Sequence, residues 1–210
     1  MRRGGGAGVV DSRTEANITR RLRARARAPA VRQDGVPRSV LRQAKVVKLL
    51  LLDVDGILTD GRLIFDAAGE AQMVFHVRDG HGMKLAQRCG LALAIITGRE
   101  SPMVAQRARE LGIQEIHQKA VDKLPVFQEL LERRDLAAGE IACMGDDLLD
   151  LPLMLRAGLA ITVPEAVEEV RAVAHYITRC PAGHGAVREA IELLLKAQGH
   201  WPKVLERYRR

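Results

Sequence analysis

Leu49–Asp60, LLLLDVDGILTD, is the stretch that decides the fold. Four consecutive leucines without polar alternation read as a short strand covered on both faces, the kind found in parallel sheets sandwiched by helices. An apolar run cannot continue through Asp53, Val54, Asp55 and Gly56. Both carboxylates therefore emerge where the strand stops, and Gly56 permits the tight turn that follows. Open α/β sheets place their ligands at that C-terminal edge. Two carboxylates two residues apart there suit a divalent cation and a phosphate ester. A lone pair of this kind is equally an acidic turn, and only the remaining motifs separate the two readings.

Outward from this strand, helical and strand patterns alternate. VPRSVLRQAKVVK (36–48) predicts a short helix before the strand. RLIFD and EAQMVFHV, around a glycine-bearing turn, predict a β-hairpin projecting from the sheet edge. RDGHG (78–82) follows, with Gly80 and Gly82 allowing an unusual backbone path, and a helix is expected from Met83 to Gly90. Strands are expected at Leu91–Ile96, Ile113–His117, Glu140–Met144, Leu159–Val163 and His175–Thr178. Helices are expected at Ser101–Leu111, Leu124–Arg134, Leu148–Ala157, Val167–Ala174 and Gly185–Gln198. The alternation implies a doubly wound parallel sheet carrying a hairpin flap.

The formal net charge of +7 belongs to one end. Residues 1–48 hold 13 Lys+Arg and 3 Asp+Glu; from totals of 33 and 26, the remainder holds 20 and 23, a balance of −3. Residues 1–35 are rich in Gly, Ala and Arg and poor in large apolar groups, so a basic, mobile arm is expected. It has no apolar core of a secretory signal. An RNA or anionic-membrane contact through this arm is one reading, a solvated extension the other; nucleic acid is not an expected partner of the domain itself. The domain is expected over 36–200, with 201–210 as a C-terminal tail. Cys89, Cys143 and Cys180 lack metal-ligand spacing and read as reduced core or near-core residues of a cytoplasmic protein. No apolar run reaches membrane-spanning length.

Every chemistry-bearing cluster follows an apolar strand. Asp53 and Asp55 follow the first, Thr97 and Gly98 the second, Asp146 and Asp147 the fourth, and Lys123 precedes a helix. Singly, Thr97 is also a helix cap, Lys123 a surface charge and Gly145–Asp147 a turn. Jointly they fall on one edge of one sheet. The order DVDGILTDG, IITGR, a lysine before a helix and MGDDLLD resembles the haloacid dehalogenase superfamily of phosphatases. LTDG after the first motif, FHVRDGHG and GHGAVREAIELLLKAQG resemble its branch without a cap domain, the 3-deoxy-D-manno-octulosonate 8-phosphate phosphatases. Sialic-acid-type 9-phosphate phosphatases look similar, as do the non-catalytic C-terminal modules of some acylneuraminate cytidylyltransferases.

The resemblance implies roles for residues of this chain. Asp53 is the implied nucleophile and Asp55 the acid and base. Asp53, the Asp55 carbonyl and Asp146 are the implied Mg2+ ligands, with Asp147 as a water-mediated partner and Asp150 as a buttress of the loop. Thr97, Gly98 and Lys123 are implied to clamp the phosphoryl oxygens. Arg78 either pairs with the carboxylate of a sugar acid or forms an ion pair with Asp79 or a neighbour; Arg99 stands in the same position, and Arg62 is a weaker candidate. His76 and His81 read as residues of the hairpin base. A homotetramer is implied, with hairpins covering neighbouring sites. One departure stands out: His184 in PAGHGAVRE occupies a place where arginine is frequent in this family, which puts the tail's contribution in doubt.

Overall fold

The computed structural model describes residues 35–67 and 71–209. The basic arm expected over 1–35 thus lies outside the described residues save Gly35. Helix α1 (Arg38–Lys45) leads into β1 (Leu49–Leu52), followed by the antiparallel pair β2 (Ile64–Phe65) and β3 (Ala71–Gln72). Next come α2 (Val77–Arg88), β4 (Ala92–Ile96), α3 (Pro102–Leu111), β5 (Glu115–His117) and α4 (Leu124–Arg134). Strand β6 (Ile141–Met144), α5 (Leu151–Met154), β7 (Leu159–Thr162), α6 (Glu168–Val173), β8 (Tyr176–Ile177), α7 (Ala186–Ala197) and α8 (Trp201–Glu206) follow.

The main sheet has the order β5-β4-β1-β6-β7-β8, and every pairing in it is parallel. All four leucines of β1 are buried, because β4 and β6 flank the strand and helices cover both faces. Right-handed crossovers put α2 and α3 on one face and α4, α5 and α6 on the other. Helices α1 and α7 pack beside each other, and α7 also packs along α2. The chain leaves β1 toward β4 and later returns to β6 on its other side. The order therefore reverses at β1, and a crevice opens at the C-terminal ends of β1, β4 and β6.

The structure departs from the sequence expectation in three places. Helix α2 begins at Val77 rather than Met83, with Gly80 and Gly82 inside its first turns. The two glycines serve helix packing, not a bend. A Cβ on Gly80 would lie 2.4 Å from the Arg107 guanidinium of α3, and one on Gly82 2.9 Å from the Arg188 side chain of α7. The segment 148–157 is a 3-10 turn (Leu148–Asp150) and a short α5 rather than one helix. There the Asp150 carboxylate turns back to accept from the Asp146 and Asp147 amides. Finally, much of the supposed tail is α8, packed on the domain. Val204 is buried, and the Trp201 ring lies 5.8 Å from the Arg188 guanidinium and 5.0 Å from the Lys196 ammonium.

Between β1 and α2 the described insertion is only the small hairpin, and no cap domain is seen among the described residues. Phe65 is 62% and Val77 79% exposed, and Leu63, Ile64 and Val74 are also exposed. No described helix is long and apolar enough to cross a membrane.

Candidate active site

The loop after β1 is curled by its own backbone. The Val54 carbonyl accepts from the Leu58 and Thr59 amides at 2.9 and 3.0 Å, while the Asp53 amide still pairs with the Met144 carbonyl of β6. Asp53 thus stays in register with the sheet, whereas Asp55 stands on the turn above it. Gly56 has φ +82°, and a Cβ there would meet Asp146 Oδ2 at 2.0 Å. Only glycine lets the β1 and β6 loops close on one another, and that closure sets Asp146 beside Asp53.

Lys123, at the N-cap of α4, is only 2% exposed. Its Nζ donates to Asp53 Oδ1 and to Asp150 Oδ1, both at 2.7 Å. Burial works against the ammonium, but the two carboxylates outweigh it and hold Lys123 above the ordinary lysine range. Burial, together with the Asp150 charge, pushes Asp53 up to about 7 despite Lys123. Burial and the charges of Asp53 and Asp150 push Asp146 up to about 7 as well. The cluster is short of positive charge.

Thr97 directly follows β4, with its amide on the His117 carbonyl and its Oγ1 accepting from the Arg99 amide at 3.3 Å. Gly98 follows it, under the Leu149 side chain. Arg99 Nη1 lies 3.4 Å from Asp55 Oδ1. Asp53, Asp55, Thr97, Gly98, Arg99, Lys123 and Asp146 therefore share the edge where β1, β4 and β6 end. Asp147 is exposed and uses Oδ1 to accept from the Leu148 amide. Arg78 is exposed in the first turn of α2, without an ion pair among the described residues. Its neighbour Asp79 is buried and accepts from the Gly185 and Arg188 amides of α7 instead. Arg62 pairs with Asp60. His76 stands at the N-cap position of α2 without a side-chain capping bond, its ring 6.3 Å from that of His184. His184 Nδ1 is 2.8 Å from the Ala182 carbonyl, and His81 faces Tyr208.

Carboxylate oxygens of Asp53, Asp146 and Asp150 lie within 4.8 Å of one another. Asp150 is committed elsewhere: Oδ1 to Lys123, and Oδ2 to two backbone amides. Asp146 Oδ1 is buried without a hydrogen-bond partner, an arrangement that is costly unless something electropositive meets it. An oxygen-only donor set of this kind fits a hard divalent cation. The ion pair from Asp150 to Lys123 joins residues 27 apart and leaves no local mark in the sequence.

Sheet and site together define a hydrolase of the phosphoryl-transfer type. The haloacid dehalogenase-like hydrolase profile matches residues 110–191. KdsC of Escherichia coli K12, a 3-deoxy-D-manno-octulosonate 8-phosphate phosphatase, is 42% identical over 164 residues, covering 78% of this chain and 87% of that protein. The crystal structure of the Moraxella catarrhalis 3-deoxy-D-manno-octulosonate 8-phosphate phosphatase, in complex with magnesium ion, phosphate ion and KDO, is 43% identical. It superposes with a TM-score of 0.79 over 80% of this chain and 97% of that one. The cobalt-bound Haemophilus influenzae phosphatase is 35% identical, with a TM-score of 0.72 over 75% and 92%. The chain belongs to the haloacid dehalogenase-like hydrolases, in the family of the 3-deoxy-D-manno-octulosonate 8-phosphate phosphatases.

Proposed function

We propose that the protein is a Mg2+-dependent phosphomonoesterase that hydrolyses 3-deoxy-D-manno-octulosonate 8-phosphate to the free sugar acid and phosphate. The observation that carries this reading is the meeting of Asp53, Lys123 and Asp146 at one strand edge, with Lys123 2.7 Å from the Asp53 carboxylate. Mg2+ held by Asp53, the Asp55 carbonyl and Asp146, with Asp147 through water, would supply Lewis-acid polarisation of a phosphoryl oxygen.

Asp53 attacks phosphorus in line, the bond from phosphorus to the sugar oxygen breaks, and Asp55 delivers the proton to that oxygen. Asp55 then takes a proton from water as it displaces phosphate from the aspartyl ester, which restores the Asp53 carboxylate. Lys123, Thr97 and the Gly98 amide meet the equatorial oxygens, where charge spreads in the transition state. Asp150 acts through Lys123, fixing its ammonium from the far side. Arg99 pairs with Asp55 in this structure, and exchanging that carboxylate for the carboxylate of the sugar acid would couple substrate entry to release of Asp55. Arg78, exposed in the first turn of α2, is a second candidate partner for that carboxylate.

The apolar hairpin and the exposed Val77 support a homotetramer in which hairpins from neighbouring copies cover the sites. Three free cysteines support a cytoplasmic setting. Phosphate release from a panel of sugar phosphates with Mg2+ tests the substrate: preference for the octulosonate ester over an N-acylneuraminate 9-phosphate is expected. Equal rates on both would remove the octulosonate reading and leave the phosphatase.

A further inference from the structure

Helix α2 starts at the catalytic edge and runs 12 residues, which carries its far end about 18 Å away at the standard helical rise. At that end, α2 and the C-terminal segment line an open cavity of about 630 Å³, within the size range of small-molecule sites. Leu85 and Val204, both buried, give it an apolar floor. Its walls carry Arg88, Lys203, Arg207 and His200 against one carboxylate, Glu206.

What sets these cations apart is that they converge on one cavity. Several helical cations of the domain are matched, Arg133 and Arg134 by Glu115, Arg107 by Glu110, and Arg188 and Lys196 by Glu192, whereas others stand singly on the surface. Arg88, Lys203 and Arg207 have no such partner among the described residues. A positive concavity on a domain of net negative charge focuses anions. The cavity is also held open in advance. Tyr208 sits 2.9 Å from His81 Nε2 with the rings edge to face, and the cations of α7 cap Trp201. Binding there would require little ordering of its walls. The arginine-rich stretch 1–35 has the wrong charge to occupy it.

We propose that this cavity binds a phosphate monoester carrying an apolar ring, with the ring on the Leu85–Val204 floor and the dianion met by Arg88, Lys203 and Arg207. The test titrates adenosine 5′-monophosphate into the full chain in EDTA, so that the metal-free carboxylates of the catalytic edge repel the probe. Calorimetry reads binding, and mass spectrometry follows N-ethylmaleimide labelling of Cys89, which lines the cavity, with Cys180 as the internal reference. One saturable site is expected, with Cys89 labelling slowed and Cys180 labelling unchanged. Combined Lys203→Glu and Arg207→Glu substitution, on exposed positions, is expected to weaken binding by on the order of a hundredfold. Unprotected Cys89, affinity unmoved by the charge reversal, or inorganic phosphate binding as tightly as the nucleotide would each overturn the proposal.

Discussion

The catalytic edge and the hairpin sit a few residues apart in sequence and differ in how much holds them. At the edge, one buried lysine bridges two carboxylates, and one of these binds two backbone amides. Each group there constrains another, and burial makes every pairing costly to break. The hairpin is two residues paired with two, and Ile64 and Phe65 are exposed. A two-stranded ribbon of this size has little stability of its own. The edge is ordered by the domain, whereas the hairpin has few contacts of its own to hold it. That division suits chemistry that needs fixed geometry and a cover supplied by association.

Four experiments test this contrast. Asp53→Asn should lower phosphate release by several orders of magnitude while leaving the thermal midpoint close to that of the parent; a rate near the parent's would remove Asp53 as nucleophile. Lys123→Ala should cost about 3–5 kcal/mol in urea unfolding, because it strands two buried carboxylates. A loss near zero would mean that the edge is less tightly determined than its distances suggest.

The third experiment is pH dependence with and without Mg2+. Asp53 and Asp146 stand at about 7 against an ordinary 3.8, so the folded chain holds more protons than the unfolded one between these values. Metal-free stability should therefore fall as pH rises from near 4 and level off past about 7. Mg2+ competes with those protons, so it should raise the melting midpoint more at about pH 8 than at about pH 5. Equal Mg2+ shifts at both would contradict the carboxylate ligand set. The smallest effect on the fold belongs to the hairpin. Phe65→Ser should change the unfolding free energy of a single copy by less than about 0.5 kcal/mol and yet reduce the oligomer seen in sedimentation. Undiminished assembly would mean that the hairpin is not the contact.

How much of this was legible beforehand follows from the range of the interactions. Strand β1, the emergence of Asp53 and Asp55 at its end, and helix α4 starting beside Lys123 are local consequences of apolar runs and turn residues. RDGHG misled because glycine permits both a turn and a close helix contact. The choice was made by Arg107 and Arg188, residues 27 and more than 100 positions further along the chain. The packing of the C-terminal segment is likewise long-range: Trp201 meets Arg188 and Lys196 of α7.

By itself, the sequence determined the parallel α/β architecture and the residue types available at each strand end, since apolar periodicity and turn chemistry act over a few residues. Only the tertiary structure decided which of those groups touch. Lys123 found Asp150 as well as Asp53, Arg99 found Asp55, and Asp146 was left with a buried oxygen awaiting a cation. Those outcomes depend on how loops following β1, β4, β5 and β6 meet, with Gly56 admitting Asp146, a spatial constraint that no local stretch of the chain encodes.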